Sequence, residues 1–155
     1  MSETNTVVSV SRRQFCAGAC CAALGTLASA CGEGSPNSPS SPAATLPKLN
    51  GQLAGSTVRV NTSGTALDNI GGAALIESVG GVFLLSRTGT SGFGAIDATC
   101  SHEGCTVTGA AGDIYVCPCH GSRYSRTGQV VNGPAKANLR QYATSFSDGV
   151  VTISL

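Results

Sequence analysis

The chain has 155 residues, 11% of them charged, and a formal net charge of +1. That length suits one domain plus a flanking segment, and that charge balance gives no support for a nucleic-acid or polyanion partner. With 21 glycines, no tryptophan and 5% aromatic residues, the composition favours short strands and turns over a helical bundle.

Residues 1–30 read as a signal segment. Arg12-Arg13 precedes an uncharged run of sixteen residues, Phe15 to Ala30, built mainly from Ala, Cys, Gly and Leu. A charged start, an apolar core and a small-residue exit are the layout of an export signal. Ser11-Arg12-Arg13-Gln14-Phe15 resembles the twin-arginine signal, which carries folded, cofactor-loaded proteins across a membrane. Ala28-Ser29-Ala30 matches a cleavage site, and the following Cys31-Gly32 resembles a bacterial lipoprotein box with Cys31 as the lipidated residue. The leucine of such a box is displaced, because Leu27 stands one place too early. An uncleaved anchor ranks last, since sixteen weakly apolar residues fall short of the roughly 20 that span a bilayer. Residues 31–48 are rich in Ser, Pro and Gly and read as an extended tether, so the folded domain is expected over 49–155. The expected location is the outer face of a bacterial cytoplasmic membrane or the periplasm, with a lipid at Cys31 as the membrane attachment.

Brief apolar runs separated by glycine turns follow. Val58–Val60, Ala73–Glu77, Val82–Ser86, Gly94–Asp97, Ile114–Val116, Gln129–Val131, Leu139–Ala143 and Val150–Ser154 read as strands. Gly80-Gly81 and Asp148-Gly149 read as hairpin turns. No window sustains helical periodicity over three turns. The fold class is all-β, an antiparallel sandwich or barrel with two cysteine-bearing loops inserted between strands.

Those loops are Cys100-Ser101-His102-Glu103-Gly104-Cys105 and Cys117-Pro118-Cys119-His120-Gly121-Ser122. They hold four of the eight cysteines and both histidines of the chain. A tetrahedral zinc site takes four such ligands and leaves two of the six candidates over. A framework of disulfides alone suits an exported protein but leaves both imidazoles without a role. A thioredoxin-type dithiol needs C-x-x-C beside a βαβ unit, and neither is present. A [2Fe–2S] cluster with mixed ligation takes two thiolates on one iron and two imidazoles on the other, and each loop can supply one of each.

C-x-H-x-x-C followed by C-P-C-H-G-S resembles the Rieske iron–sulfur family, in its high-potential, disulfide-bearing branch. The resemblance covers roughly residues 55 to 155. It implies Cys100 and Cys117 as thiolate ligands of one iron, His102 and His120 as imidazole ligands of the other, and a disulfide between Cys105 and Cys119. It implies further that Ser122 and Tyr124 hydrogen-bond cluster sulfurs, and that Gly133-Pro134-Ala135 begins a third loop covering the cluster, so that residues 98–135 form the cluster-binding subdomain. Two neutral imidazoles in place of two thiolates remove negative charge and favour the reduced state. Such centres lie at about −150 to +300 mV, against about −400 mV for four-cysteine plant-type ferredoxins, and the Ser122 and Tyr124 hydroxyls place this chain in the upper half.

The function implied is one-electron transfer as a carrier or redox subunit rather than as a stand-alone enzyme, with no identifiable small-molecule substrate. The redox partner would be a cytochrome or an oxidase subunit. Alternatives are a quinol-oxidising subunit of a cytochrome bc-type complex, and the small subunit of a periplasmic oxidase such as arsenite oxidase. Glu103 stands where many quinol-oxidising members carry an apolar residue. The third loop reads Gly-Pro-Ala-Lys, with Lys136 in place of a second proline. Both departures, with the signal-like N-terminus, count against the cytochrome bc-type subunit and leave the cluster untouched.

Overall fold

The computed structural model describes residues 43–155; the signal segment, Cys31 and most of the expected tether lie outside the described residues. Fourteen strands run in chain order: β1 (Ala44–Thr45), β2 (Lys48–Asn50), β3 (Gln52–Ala54), β4 (Thr57–Asn61), β5 (Ala73–Ser78), β6 (Gly81–Arg87) and β7 (Phe93–Asp97). They continue with β8 (Gly109–Ala111), β9 (Ile114–Val116), β10 (Arg123–Ser125), β11 (Val130–Asn132), β12 (Gln141–Tyr142), β13 (Thr144–Ser147) and β14 (Val150–Ser154). A single 3₁₀ turn, Ala66–Asp68, is the one helical element among the described residues. The all-β reading therefore holds, and every pairing is antiparallel except β2 with β5.

The strands form three sheets, ordered β1-β8-β9-β10-β11, β12-β7-β6-β5-β2 and β13-β14-β4-β3. The second sheet is the middle layer, and its side chains alternate between two cores. Leu75, Leu84 and Ile96 face one core together with Tyr115, Tyr124, Cys100 and Cys117 of the first sheet and its loops. Ala74, Ile76, Phe83, Leu85 and Ala95 face the other, against Val58, Val60, Val151 and Ile153 of the third sheet. Burial on both faces explains why Ala73–Ile76 and Val82–Leu85 are continuous apolar runs rather than alternating ones.

Seven of the eight expected strands coincide with observed ones to within one residue at either end; the eighth differs for a physical reason. The segment expected as one strand, Leu139–Ala143, is shorter because the chain changes sheets. β12 pairs with β7, Ala143 intervenes, and β13 pairs with β14. The expected Gln129–Val131 strand starts one residue late, at Val130, after the turn in which the Gly128 N–H bonds the Ser125 carbonyl. The Asp148-Gly149 turn has φ of 53° and 75°, both in the left-handed region that a two-residue hairpin requires. The other hairpin turns through Val79-Gly80, with Ser78 already paired to Gly81, one residue earlier than expected.

The expected boundary at residue 49 is too late. Ala44–Thr45 pairs with β8, and Leu46 is 6% exposed in the core beneath the first sheet. Pro47 is tolerated there because it serves as an acceptor only, its carbonyl taking the Leu75 N–H at 2.9 Å. The tether's composition continues past the point where one buried leucine begins the fold.

Candidate metal centre

The two loops share one backbone plan. Each has six residues and begins on a buried cysteine, with Cys100 3% and Cys117 1% exposed. In each, the first residue's N–H bonds the sixth residue's carbonyl: Cys100 to Cys105 and Cys117 to Ser122, both at 2.8 Å. In each, the fifth residue's N–H returns to the first carbonyl: Gly104 to Cys100 at 2.9 Å and Gly121 to Cys117 at 3.1 Å. Both fifth residues are glycines with positive φ, 75° and 71°, a conformation that costs other L-residues about 1–2 kcal/mol. The first loop is anchored by the Thr99–Thr106 bridge and the second closes the β9–β10 hairpin at Val116–Arg123.

This plan explains the unequal spacing of the histidines. The third position is His102 in one loop and Cys119 in the other, and Cys119 is bonded to Cys105. With the third position taken by the disulfide, the second loop's imidazole comes from the fourth, His120. The rings meet edge to face, their centroids 4.9 Å apart. Glu103, the fourth residue of the first loop, lies against both: Oε1 is 3.8 Å from His102 Nε2 and Oε2 is 3.7 Å from His120 Nδ1. Both separations exceed hydrogen-bond length, so Glu103 makes no direct hydrogen bond to either ring.

The donor set fits a metal group that takes two sulfurs and two nitrogens. Cys100 and Cys117 are the free thiols among the described residues, and both are buried. His102 Nδ1 is buried without a hydrogen-bond partner, a state that costs about 1–3 kcal/mol unless something accepts its lone pair. The imidazole side chains are 26% and 49% exposed, so the nitrogen side of the set reaches the surface while the sulfur side is enclosed.

Burial pushes the Cys100 thiol up. Hydrogen bonds from Tyr124, the His102 backbone, Cys117 and Ser122 outweigh that cost and bring it below its usual value. Burial pushes the Cys117 thiol up, and its contact with Cys100 adds to the rise, partly offset by backbone N–H groups of Cys119 and His120. Tyr124 is held above its usual value by burial and by Cys100, and its hydroxyl lies within hydrogen-bond reach of Cys100 Sγ, 3.2 Å away. On β11 the register against β10 shifts here, Arg123 facing Asn132 and Tyr124 facing Val130, with Val131 as the extra residue.

Ser122 is fully buried and its Oγ accepts the Ala135 N–H at 3.2 Å, fastening the third loop to the second. Gly133 makes this approach possible, since a Cβ there would stand 2.6 Å from Ser122 Cα. Pro134 is exposed and lines a cavity beside His102. Ser101 was not singled out from sequence. Its N–H and Oγ meet Tyr124 Oη at 3.1 and 3.2 Å, while its hydroxyl donates to the Ala137 carbonyl at 2.5 Å. Its place between a candidate ligand pair was the available signal.

Fold and site together define a β-sheet protein that brings two buried free thiols and two neighbouring imidazoles together from two loops of one backbone plan. The Rieske [2Fe-2S] domain model matches residues 54–143, and the chain belongs to that family. The cofactor that goes with that family is a [2Fe–2S] cluster. The chain is 39% identical over 62 residues to the cytochrome b6-f complex iron-sulfur subunit of Chlorobaculum tepidum, covering 39% of this chain and 34% of that one. It is 37% identical over 92 residues to the cytochrome b6-f complex iron-sulfur subunit 1 of a Nostoc species, covering 56% and 51%. The matched stretch thus spans about a third to a half of the length of these relatives. The crystal structure of the plasma membrane Rieske protein PetC3 from Synechocystis superposes with a TM-score of 0.54 at 33% identity, over 63% of this chain and 99% of that one.

Proposed function

We propose that this chain is an exported one-electron transfer protein of high potential, with Cys100 and Cys117 on one iron and His102 and His120 on the other. The observation that carries this reading is the pairing of two buried free thiols with a buried, unpartnered His102 Nδ1 in loops of one backbone plan. When bound, the cluster accepts and returns one electron. Cys100 and Cys117 are enclosed, so solvent does not reach the sulfur side. His102 and His120 reach the surface and offer the short path by which an electron enters or leaves. Tyr124 and Ser122 direct hydrogen bonds toward the sulfur side, which favours the electron-rich reduced form and raises the potential. The Cys105–Cys119 bond holds the two loops in register, and the third loop closes over them through Ala135.

Export through the twin-arginine route and attachment of a lipid at Cys31 complete the proposal. Both rest on the sequence of residues 11–32. Among the described residues no helix is long and apolar enough to cross a membrane. Metabolic labelling with a palmitate analogue marks the wild type and spares Cys31→Ala; equal labelling of both would remove the lipid from the account.

A second reading, as the iron–sulfur subunit of a quinol-oxidising complex, is favoured by the names of the cytochrome b6-f relatives. Glu103 speaks against it by putting a carboxylate, its side chain 60% exposed, against both imidazoles. Low-temperature EPR of the reduced protein, followed through a redox titration, tests the main reading. A mixed-ligand cluster signal with a midpoint in the upper half of the range of about −150 to +300 mV supports it. A colourless protein with stoichiometric zinc overturns it.

A further inference from the structure

The tip of the molecule carries two opposite charges that the ligation of a cluster does not require. A cavity of about 340 Å³ is lined by Ser101, His102, Pro134 and Lys136. The Ser101 hydroxyl is already committed to the Ala137 carbonyl. Lys136 is exposed and takes part in neither of the Lys and Arg ion pairs among the described residues, Lys48–Glu77 and Arg126–Asp113. The full charge on the cavity wall is thus an unpaired ammonium, and the group it suits is an anion. Glu103 is not part of that wall; it stands against His102 and His120 at 3.8 and 3.7 Å.

We propose that the cavity beside His102 is a recognition pocket for a carboxylate on the electron-transfer face of a protein partner, and that Glu103 receives a basic group of the same partner. This rests on the reading of His102 and His120 as the exposed ligands. The volume lies at the small end for ligand pockets, enough for one acidic side chain and too little to enclose a large organic molecule. Two opposite charges around one exit do more than attract. They fix the rotation of the partner, because reversing it brings acid to Glu103 and base to Lys136. In a chain with 11% charged residues, that arrangement is a local feature and not part of a uniformly charged surface.

The test uses the reduced, cluster-loaded protein and two small oxidants of opposite charge. Ferricyanide takes one electron from the reduced cluster and becomes ferrocyanide; tris(phenanthroline)cobalt(III) takes one electron and becomes the cobalt(II) complex. At low salt, Lys136→Gln slows oxidation by ferricyanide about two- to five-fold and spares the cobalt complex, and Glu103→Gln does the reverse, as expected for one exposed charge contact. Lys48→Gln, which removes a lysine paired with Glu77 on the strands, changes neither rate. Propionate slows ferricyanide in the wild type and not in Lys136→Gln. The proposal is overturned if Lys48→Gln acts as strongly as Lys136→Gln, if both tip variants shift both probes alike, or if a neutral quinol analogue saturates the cavity and blocks ferricyanide. EPR on each variant separates this from the underlying reading: a missing cluster signal in the wild type refutes the ligand set, whereas a normal signal with charge-insensitive rates refutes the pocket alone.

Discussion

The Tyr124 hydroxyl is held at one atom of the site and has one proton to give. Cys100 Sγ, Ser101 Oγ and the Ser101 N–H all lie within 3.2 Å of it, and the Ser101 proton goes to Ala137. The phenol therefore donates to sulfur or to Ser101 and accepts from the backbone. Tyr124→Phe removes the sulfur contact at constant ring packing, and the expected result is a lower midpoint potential with the EPR line shape kept; an unchanged midpoint would remove Tyr124 from the account. A second tyrosine gives a pH dependence. Burial and then the Asp97 carboxylate hold Tyr142 above its usual value of 10.0, and its hydroxyl donates to Asp97 Oδ2 at 3.3 Å. A raised folded-state value means the contribution is complete below the unfolded value and is lost as pH rises through the folded one. Urea unfolding at several alkaline pH values is expected to show a shallower loss of stability above pH 10 in Tyr142→Phe than in the wild type. At this scale the candidate ligands were legible because residue type alone marks them. Ser101 was not, because a hydroxyl's role depends on where its neighbours fold.

The two loops are the elements that turn a sheet into a site. Their common hydrogen-bond plan was only partly legible: paired Cys-to-Gly spacings are visible in sequence, but the equivalence of Cys119 with His102 appears only once the backbone bonds are known. The disulfide joining them spans 14 residues and has one exposed cysteine. Closing a loop of that length removes denatured-state entropy worth about 3 kcal/mol. The Cys105→Ser/Cys119→Ser double variant is expected to lose about that much by denaturant unfolding and to release iron faster to a chelator. Unchanged stability together with unchanged iron retention would mean that hydrogen bonds alone hold the loops in register. Strands β1, β2 and β3 escaped the sequence reading because two- and three-residue edge strands carry too few positions for a period to show.

Across the described residues, the middle sheet separates the core that contains Cys100, Cys117 and Tyr124 from a second core that contains none of the candidate site residues. Leu75 and Ile76 are adjacent, 1% and 0% exposed, and face opposite cores. Truncation of either to alanine is expected to cost about 2–5 kcal/mol by denaturant unfolding. Only Leu75→Ala, on the side of Cys100, Cys117 and Tyr124, is expected to alter the cluster's absorption and EPR spectra; an equal spectral effect from Ile76→Ala would contradict the two-core division. The all-β class was legible from the glycine-separated runs. The layering was not, because a continuous apolar run states that both faces are buried without naming what covers each. In the proposed centre both imidazoles of the chain bind the cluster. Since His102 and His120 are its only histidines, isotopically labelled histidine puts label on no other side chain. Electron–nuclear double resonance on the reduced, histidine-labelled protein is predicted to show two directly coordinated nitrogens. One coordinated nitrogen, or none, would contradict the account.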